Sequence, residues 1–346
     1  MKNQLILTKG ITWPGRFGSA VAGFRPRRQV SKSSIFLRET AVNRIFKLLK
    51  ILSSMSLFWR QIQFWRSICA AAVLLVAAKV QAQNLFVSSY GSGNIYEYTP
   101  GGVRSTFASG LNFPVGLAFN SAGDLFEADQ GSGNIYKFTP GGVRSTFASG
   151  LAGPSILTFN SAGILFEDNA GNNNIYEFTP GGVQSTFATG LNGPIGLAFN
   201  SSGNLFEADS GSGNIYQFTP GGVRSTFASG LAPTLLACDS TGNLFESDFG
   251  GSSTESIYEF TPGGAKSSFA SGLIDPKGLA FNSAGNLFAA DEAGTIYEYT
   301  PGGVRSTFAS LTGYPLGLAF QPAPEPSTLG LLAVGVTALL VRRRKQ

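Results

Sequence analysis

The sequence predicts an all-β fold: a six-bladed β-propeller of four-stranded antiparallel blades, with a signal peptide before it and a short C-terminal hydrophobic helix after it. Three observations carry this. The stretch Asn134 to Gly142, NIYKFTPGG, recurs with its Ile at Ile95, Ile135, Ile175, Ile215, Ile257 and Ile296, in steps of 40, 40, 40, 42 and 39 residues. Each unit holds four strand-like runs, none long enough for a helix. The array opens at Asn84 in one strand type and stops at Phe320 in another, so its ends are one strand out of phase. Repetition at a period of about 20–50 residues is the mark of stacked or radial architectures, because one such unit cannot bury both of its faces alone.

Within the unit Asp124 to Gly163, Leu125 to Asp129 and Ile135 to Thr139 alternate apolar and polar residues, the period-2 pattern of a strand. Arg144 to Ala148 is more polar and suits an outer strand. Ile156 to Asn160, GLAFN in other units, is the most apolar and suits the innermost. Thr139-Pro140-Gly141-Gly142 reads as a type II turn, with Pro at φ near −65° and Gly where φ is positive. Asn160-Ser161-Ala162-Gly163 reads as a type I turn followed by a left-handed Gly, and Gly131-Ser132-Gly133-Asn134 closes the third hairpin. The phase offset predicts a closing blade with three strands from residues 84–110 and its fourth from 314–320. A parallel β-helix is the competing architecture, but its coils are shorter and lack a hairpin at every turn.

Residues 1–54 carry eleven Lys or Arg and one acid, Glu39, and read as an extension upstream of the true start at Met55. A transit-type segment is the other reading. Residues 55–82 form a signal peptide: Arg60 and Arg66 supply the positive region, Ile68 to Ala78 the apolar stretch, and Val80-Gln81-Ala82 the cleavage site. Residues 83–320 are the propeller and 321–328 a Pro-rich linker. Residues 329–346 are an apolar run, Leu329 to Val341, and a basic end, Arg342-Arg343-Arg344-Lys345. As a helix that run spans about 20 Å, short of the roughly 30 Å hydrocarbon core.

The formal charge of +5 is misleading about partners. Residues 83–320 hold seven basic residues and 18 of the 20 acids, a net of about −11. No basic patch or nucleic-acid motif occurs in the repeats, so no nucleic-acid partner is expected. Cys69 lies in the signal peptide, which leaves Cys238 as a buried small hydrophobe without a basic neighbour to activate it.

The chain contains no His, which removes the commonest general base and metal ligand. The GSGN segments are hairpin turns, not phosphate loops. Asp129, Asp209, Asp248 and Asp291 occupy one place in their units, with Asn169 and Ser89 in the others. Turned inward, they form a candidate Ca²⁺ ring; turned onto their own hairpins, they cap backbone N–H groups as Asx turns. Capping is favoured because it serves every unit alike. Glu127, Glu167, Glu207 and Glu246 are expected to be solvated or partnered with a neighbouring blade. Asymmetry is concentrated where Ala232 to Asp239 loses one residue and Phe249 to Ser256 gains three. That loop, with Phe249, Thr254 and Glu255, is the candidate specialised contact, with drift in a surface loop as the alternative.

Two resemblances add to this. Pro324-Glu325-Pro326, the short apolar run and the basic end are similar to the PEP-CTERM sorting tail of exported Gram-negative proteins. That resemblance implies an exosortase-type transpeptidase as partner, with Pro324, Glu325 and Pro326 recognised and Arg342, Arg343 and Arg344 a cytoplasmic stop. An ordinary tail anchor is the alternative. The repeat, P-x-G-L-A-F-N-x-x-G-N-L-F-x-A-D, resembles NHL and senescence-marker/gluconolactonase-type propellers. Streptogramin-lyase relatives depend on a catalytic His that is missing here, and gluconolactonase-like relatives hold a divalent metal in the channel. The expectation is an exported, surface- or matrix-associated, non-catalytic binding or scaffold module without a cofactor, whose ligand is an exopolysaccharide or another surface protein. The alternative is a metal-dependent gluconolactonase-like hydrolase.

Overall fold

The runs form six four-stranded sheets, each made of a GLAF-type inner strand and the three runs that follow it, so that the last run of one repeat unit opens the next blade. Only blade 1 departs from sequence order, taking its inner strand from the end of the array. In blade 2 the inner strand is Pro114–Phe119, followed outward by Leu125–Asp129, Asn134–Phe138 and Arg144–Ala148. Blades 3, 4, 5 and 6 repeat this from Pro154, Pro194, Pro233 and Pro276. The computed structural model describes residues 83–249 and 255–322, together with 47, 59 and 61–66. Residues 61–66 are helical and belong to a separate N-terminal unit, Met1–Ala71. The cleavage site Val80 and Ala82, the loop residue Thr254, Pro324 to Pro326, and Arg342 to Arg344 lie outside the described residues.

Blade 1 closes the ring as the phase of the array requires. Its inner strand is Pro315–Phe320, paired antiparallel with Leu85–Ser89 through Leu85↔Phe320, Phe86↔Ala319 and Val87↔Leu318. Asn94–Tyr98 and Arg104–Ala108 complete it. Gln321 N donates to Asn84 O at 3.0 Å and Gln83 Nε2 donates to Gln321 O at 3.1 Å. The domain is therefore entered and left at adjoining points.

Burial follows radial position. The outer strands expose Arg144, Ser145 and Thr146 and their counterparts, whereas the second strand of blade 2 is buried along its whole length. Each gap between blades is filled by aromatic rings. Phe126 meets Phe147 edge-on at 4.9 Å and Phe159 of the next blade at 5.1 Å, a geometry that aligns ring edges with ring faces. The pattern recurs around Phe86, Phe166, Phe245 and Phe288. Between blades 4 and 5, Cys238 stands where the other gaps have the inner-strand ring. It is half-buried, and burial together with Asp239 pushes its thiol up to about 12, so the thiolate nucleophile is suppressed.

Two sequence expectations are corrected. The TPGG hairpin is not type II. The positive φ, 80°, falls on Gly142, Gly142 N donates to Thr139 O at 2.8 Å and Thr139 N to Val143 O at 3.0 Å. That is the three-residue hairpin with a left-handed Gly in third place, which leaves Gly141 outside the left-handed region. The NSAG turn has the expected left-handed Gly163, at φ 78°.

Glu127, Glu167, Glu207 and Glu246 are neither solvated nor partnered with a neighbouring blade. All four are 0% exposed, and among the described residues the carboxyl oxygens of Glu127, Glu207 and Glu246 have no hydrogen-bond partner. They sit in the gaps between blades, where blades 1 and 6 carry Val87 and Ala289 within apolar clusters. The place thus accepts an apolar side chain. Burial, then the charge of a neighbouring Asp, raises Glu127, Glu167 and Glu207 to about 9 and Glu246 to about 8. Asp168, wholly buried where most units have Ala or Ser, is also raised by burial, although Ile156 N donates to its Oδ1. At neutral pH the four glutamates are protonated, which is how a buried carboxyl avoids the cost of a buried charge.

The folded state holds these protons more tightly than the unfolded chain, so stability falls as pH rises from the ordinary 4.5 towards about 9. Thermal melts from pH 5 to pH 9 should show a steadily falling midpoint. Glu127→Gln and Glu207→Gln should raise the midpoint at pH 8, leave it nearly unchanged at pH 5, and flatten the slope between.

Candidate functional site: the mouth of the channel

The six inner strands run in one direction around a central channel, with their Pro residues at one end. A cavity of about 430 Å³ opens there, lined by Tyr90, Val115, Ser155, Ile156, Ile195, Thr234, Leu235, Lys277, Glu292, Tyr314, Pro315 and Leu316. A second, of about 330 Å³, opens at the other end, and Ile156, Leu235 and Leu316 line both. The channel narrows between them because the inner strands nearly touch. A Cβ at Gly116 would strike the Ser155 carbonyl, and one at Gly317 would strike that of Val115. Blades 3 and 5 carry Ile156 and Leu235 in place of this Gly, so large side chains stand at the waist.

Three columns of the repeat vary while their surroundings hardly change, and all three meet at this mouth. The residue after the inner Pro is Leu316, Val115, Ser155, Ile195, Thr234 or Lys277 around the ring. The residue after the second strand is Tyr90, Gln130, Ala170, Ser210, Phe249 or Glu292. The residue before the Pro is Tyr314, Phe113, Gly153, Gly193, Ala232 or Asp275. The last column has a conformational signature. Gly153 and Gly193 take φ of 78° and 72°, but Tyr314, Phe113 and Asp275 take 43°, 58° and 46°. A bulky residue in the left-handed region costs of order 1–3 kcal/mol, and such outliers cluster at ligand-contacting places. These three belong to the adjoining blades 6, 1 and 2.

That arc is also the aromatic and ionic one. Tyr90 stacks on Phe113 at 4.7 Å and 24°, and Phe113 and Tyr314 are 47% and 51% exposed. Lys277 Nζ lies 2.7 Å from Asp275 Oδ2 and 5.3 Å from the centre of the Phe249 ring. Glu255 is raised by burial and then by Asp275; Glu292 is raised by its hydrogen bond with Asp275, then by burial and the Asp275 charge. Among the described residues, Glu255 Oε2 is buried without a partner.

The aspartates that end the second strands of blades 2, 4, 5 and 6 hold backbone. Asp129 Oδ1 accepts Ser132 N at 3.1 Å and its Oδ2 accepts Asn112 N at 2.7 Å, so one carboxylate fastens its own hairpin and the loop arriving from the preceding blade. Asp209 repeats both bonds, to Ser212 N at 3.1 Å and Asn192 N at 2.7 Å. Asp248 accepts Ala232 N at 3.1 Å and Asp291 accepts Thr295 N at 2.9 Å. Ser89 Oγ donates to Gly313 O. Among the described residues, no three His, Cys, Asp or Glu side chains are grouped so as to hold a metal ion. Phe249 and Glu255, expected as a local contact, stand at the edge of the mouth. Tyr90, Phe113, Tyr314, Lys277 and Glu292 were not singled out by the sequence reading, although comparing the six units column by column exposes them.

Comparison with known proteins agrees with this architecture. Residues 322–345 match the PEP-CTERM protein-sorting motif, and no curated protein matches the chain. Among solved structures, the chain is similar to one from a nidogen/laminin complex, at 18% identity and TM-score 0.62, covering 69% of this chain and 98% of that one. It is similar to a gluconolactonase from Xanthomonas campestris, at 15% identity and TM-score 0.56, covering 71% and 94%. A virginiamycin B lyase from Staphylococcus aureus aligns at 15% identity and TM-score 0.52, covering 71% and 93%. At such identities the likeness is one of fold.

If the left-handed aromatics serve the mouth and not the fold, removing them costs little stability. Tyr314→Gly should leave the thermal midpoint unchanged or raised, because Gly relieves the backbone, whereas Phe126→Ala in a filled gap should cost about 3–5 kcal/mol. A large loss for Tyr314→Gly in chemical denaturation would contradict this.

Proposed function

We propose that the protein is an exported propeller directed to the cell envelope by its C-terminal sorting motif, where it works as a binding module with the channel mouth as its receptor face. The sorting motif at residues 322–345 supports the envelope location and implies recognition by an exosortase-type transpeptidase. Residues 55–82 fit the role of the export signal. A binding role, not catalysis, is supported by the convergence of the variable columns on an apolar cavity, while the aspartates of the second strands are engaged with backbone N–H groups. This convergence is the observation that carries the reading.

The topology bears on how the module is displayed. Gln83 and Gln321 lie together where the inner strand of blade 1 ends, beside the NSAG turn of blade 6, since Ser283 N donates to Gln83 Oε1 at 2.7 Å. The mouth lies at the Pro315 end of the same strand. The chain therefore leaves the ring at Gln321 on the face away from the mouth.

Deleting Pro324 to Gln346 should redistribute the protein among cell-envelope and medium fractions while its circular dichroism and thermal midpoint stay the same. An unchanged distribution on fractionation would remove the sorting function.

A further inference from the structure

The charges at the mouth do not balance. Of the seven cations in residues 83–320, five lie over Tyr rings and belong to outer strands: Arg104, Arg144, Arg224, Lys266 and Arg305. Lys137 pairs with Asp124 at 2.8 Å on blade 2. Among the described residues this leaves Lys277 as the mouth's one cation, facing Glu255, Asp275 and Glu292. Asp275 and Glu255 are 9% and 7% exposed; Asp275 is held by Lys277 and Glu292, and among the described residues Glu255 Oε2 has no partner. Buried carboxylate oxygens are normally satisfied, and an unmet one is costly. Beside this deficit stand the rings of Tyr90 and Tyr314 and the aliphatic walls Val115, Ile195 and Leu316.

We propose that the mouth of the channel is a receptor for an organic cation, an ammonium or guanidinium group on an apolar stem, with the stem against Val115, Ile195 and Leu316 and the charge between the Tyr rings and the Asp275–Glu292 carboxyls. This rests on the mouth being a binding site. Aromatic faces attract cations through their quadrupole, and more strongly where water is excluded. The chemistry also excludes rivals. A saccharide would leave most of its hydroxyls unpaired against an aliphatic wall, where Ser155 and Thr234 are the hydroxyl-bearing lining residues besides the two Tyr. An anion would meet a surplus of carboxyls, because Lys277 is already paired with Asp275. The cation could be free in solution or the side chain of a Lys or Arg on a protein partner; the chemistry is the same.

Calorimetric titration of the exported protein at low salt tests this, with n-hexylammonium, n-hexanol, hexanoate, N-acetyl-lysine methylamide, glucose and CaCl₂ as probes. Hexylammonium should bind at least ten-fold more tightly than hexanol and hexanoate, and less tightly as salt is added. Glu292→Gln and Tyr314→Gly should each weaken it at least five-fold; Glu292 is exposed, so its variant keeps the fold. Binding of the lysine amide as tightly as hexylammonium would assign the cation to a protein partner, and weaker binding to a free amine; either supports the proposal. Equal affinity for hexanol, stronger binding of hexanoate, glucose or Ca²⁺, or no binding of any amine would overturn it. Normal fractionation of Glu292→Gln with the envelope would separate loss of the ligand from failure of sorting.

Discussion

Antiparallel pairing of Pro315–Phe320 with Leu85–Ser89 is the constraint on which the rest depends. A single four-stranded blade buries neither face, and only a closed ring gives each blade two neighbours. Once Leu85 is opposite Phe320, all six gaps exist and each can be filled by the same side chains. Closure also draws the entry and exit of the domain together, at the end of the blade 1 inner strand that lies away from the cavity. The economy of the sequence follows: one unit, copied, solves six packing problems.

Symmetry at the gaps coexists with asymmetry at the mouth. Phe126, Ile135, Phe138 and Phe147 keep their counterparts almost unchanged, because each gap demands the same shape. The columns that meet at the channel end are free of that demand. There the chain carries Tyr314, Phe113 and Asp275 in a conformation that blades 3 and 4 assign to glycine. Retaining bulky side chains against a backbone preference is a local inconsistency of the kind that marks functional places in otherwise consistent folds. The buried glutamates are a second departure from the rules of the core. The neutral form of the carboxyl lets them share a place with Val87 and Ala289, and it couples the gaps between blades to pH.

Much of the fold was legible in the sequence. The repeat period, the strand runs and the phase of the two ends lead to the ring, its closing blade and the inner position of the GLAF strands. The turn after Thr139 was misread because two adjacent glycines can each adopt positive φ. Which one does so is decided by the pairing of Thr139 with Val143, a feature of the folded hairpin. Glu127 was misread because period-2 alternation distinguishes a buried face from a wet one only when one face is wet. The second strand is sandwiched between two blades, so both faces are dry. The mouth escaped notice because its residues are far apart along the chain, and only the ring brings Tyr90, Lys277 and Tyr314 to one rim. The capping geometry of Asp129 and Asp209 was legible in part: the bond to the hairpin is local, but the second, to the loop from the preceding blade, is tertiary.

Amide hydrogen exchange on the purified protein tests ring closure most directly. The account predicts that the amides of residues 315–320 are protected as strongly as those of the inner strand of blade 4, residues 194–199, and are released in the same cooperative step. Rapid exchange of 315–320 while blades 2 to 6 stay protected would mean that the ring is open, and with it would go the common geometry of the gaps and the channel mouth that the proposed receptor needs.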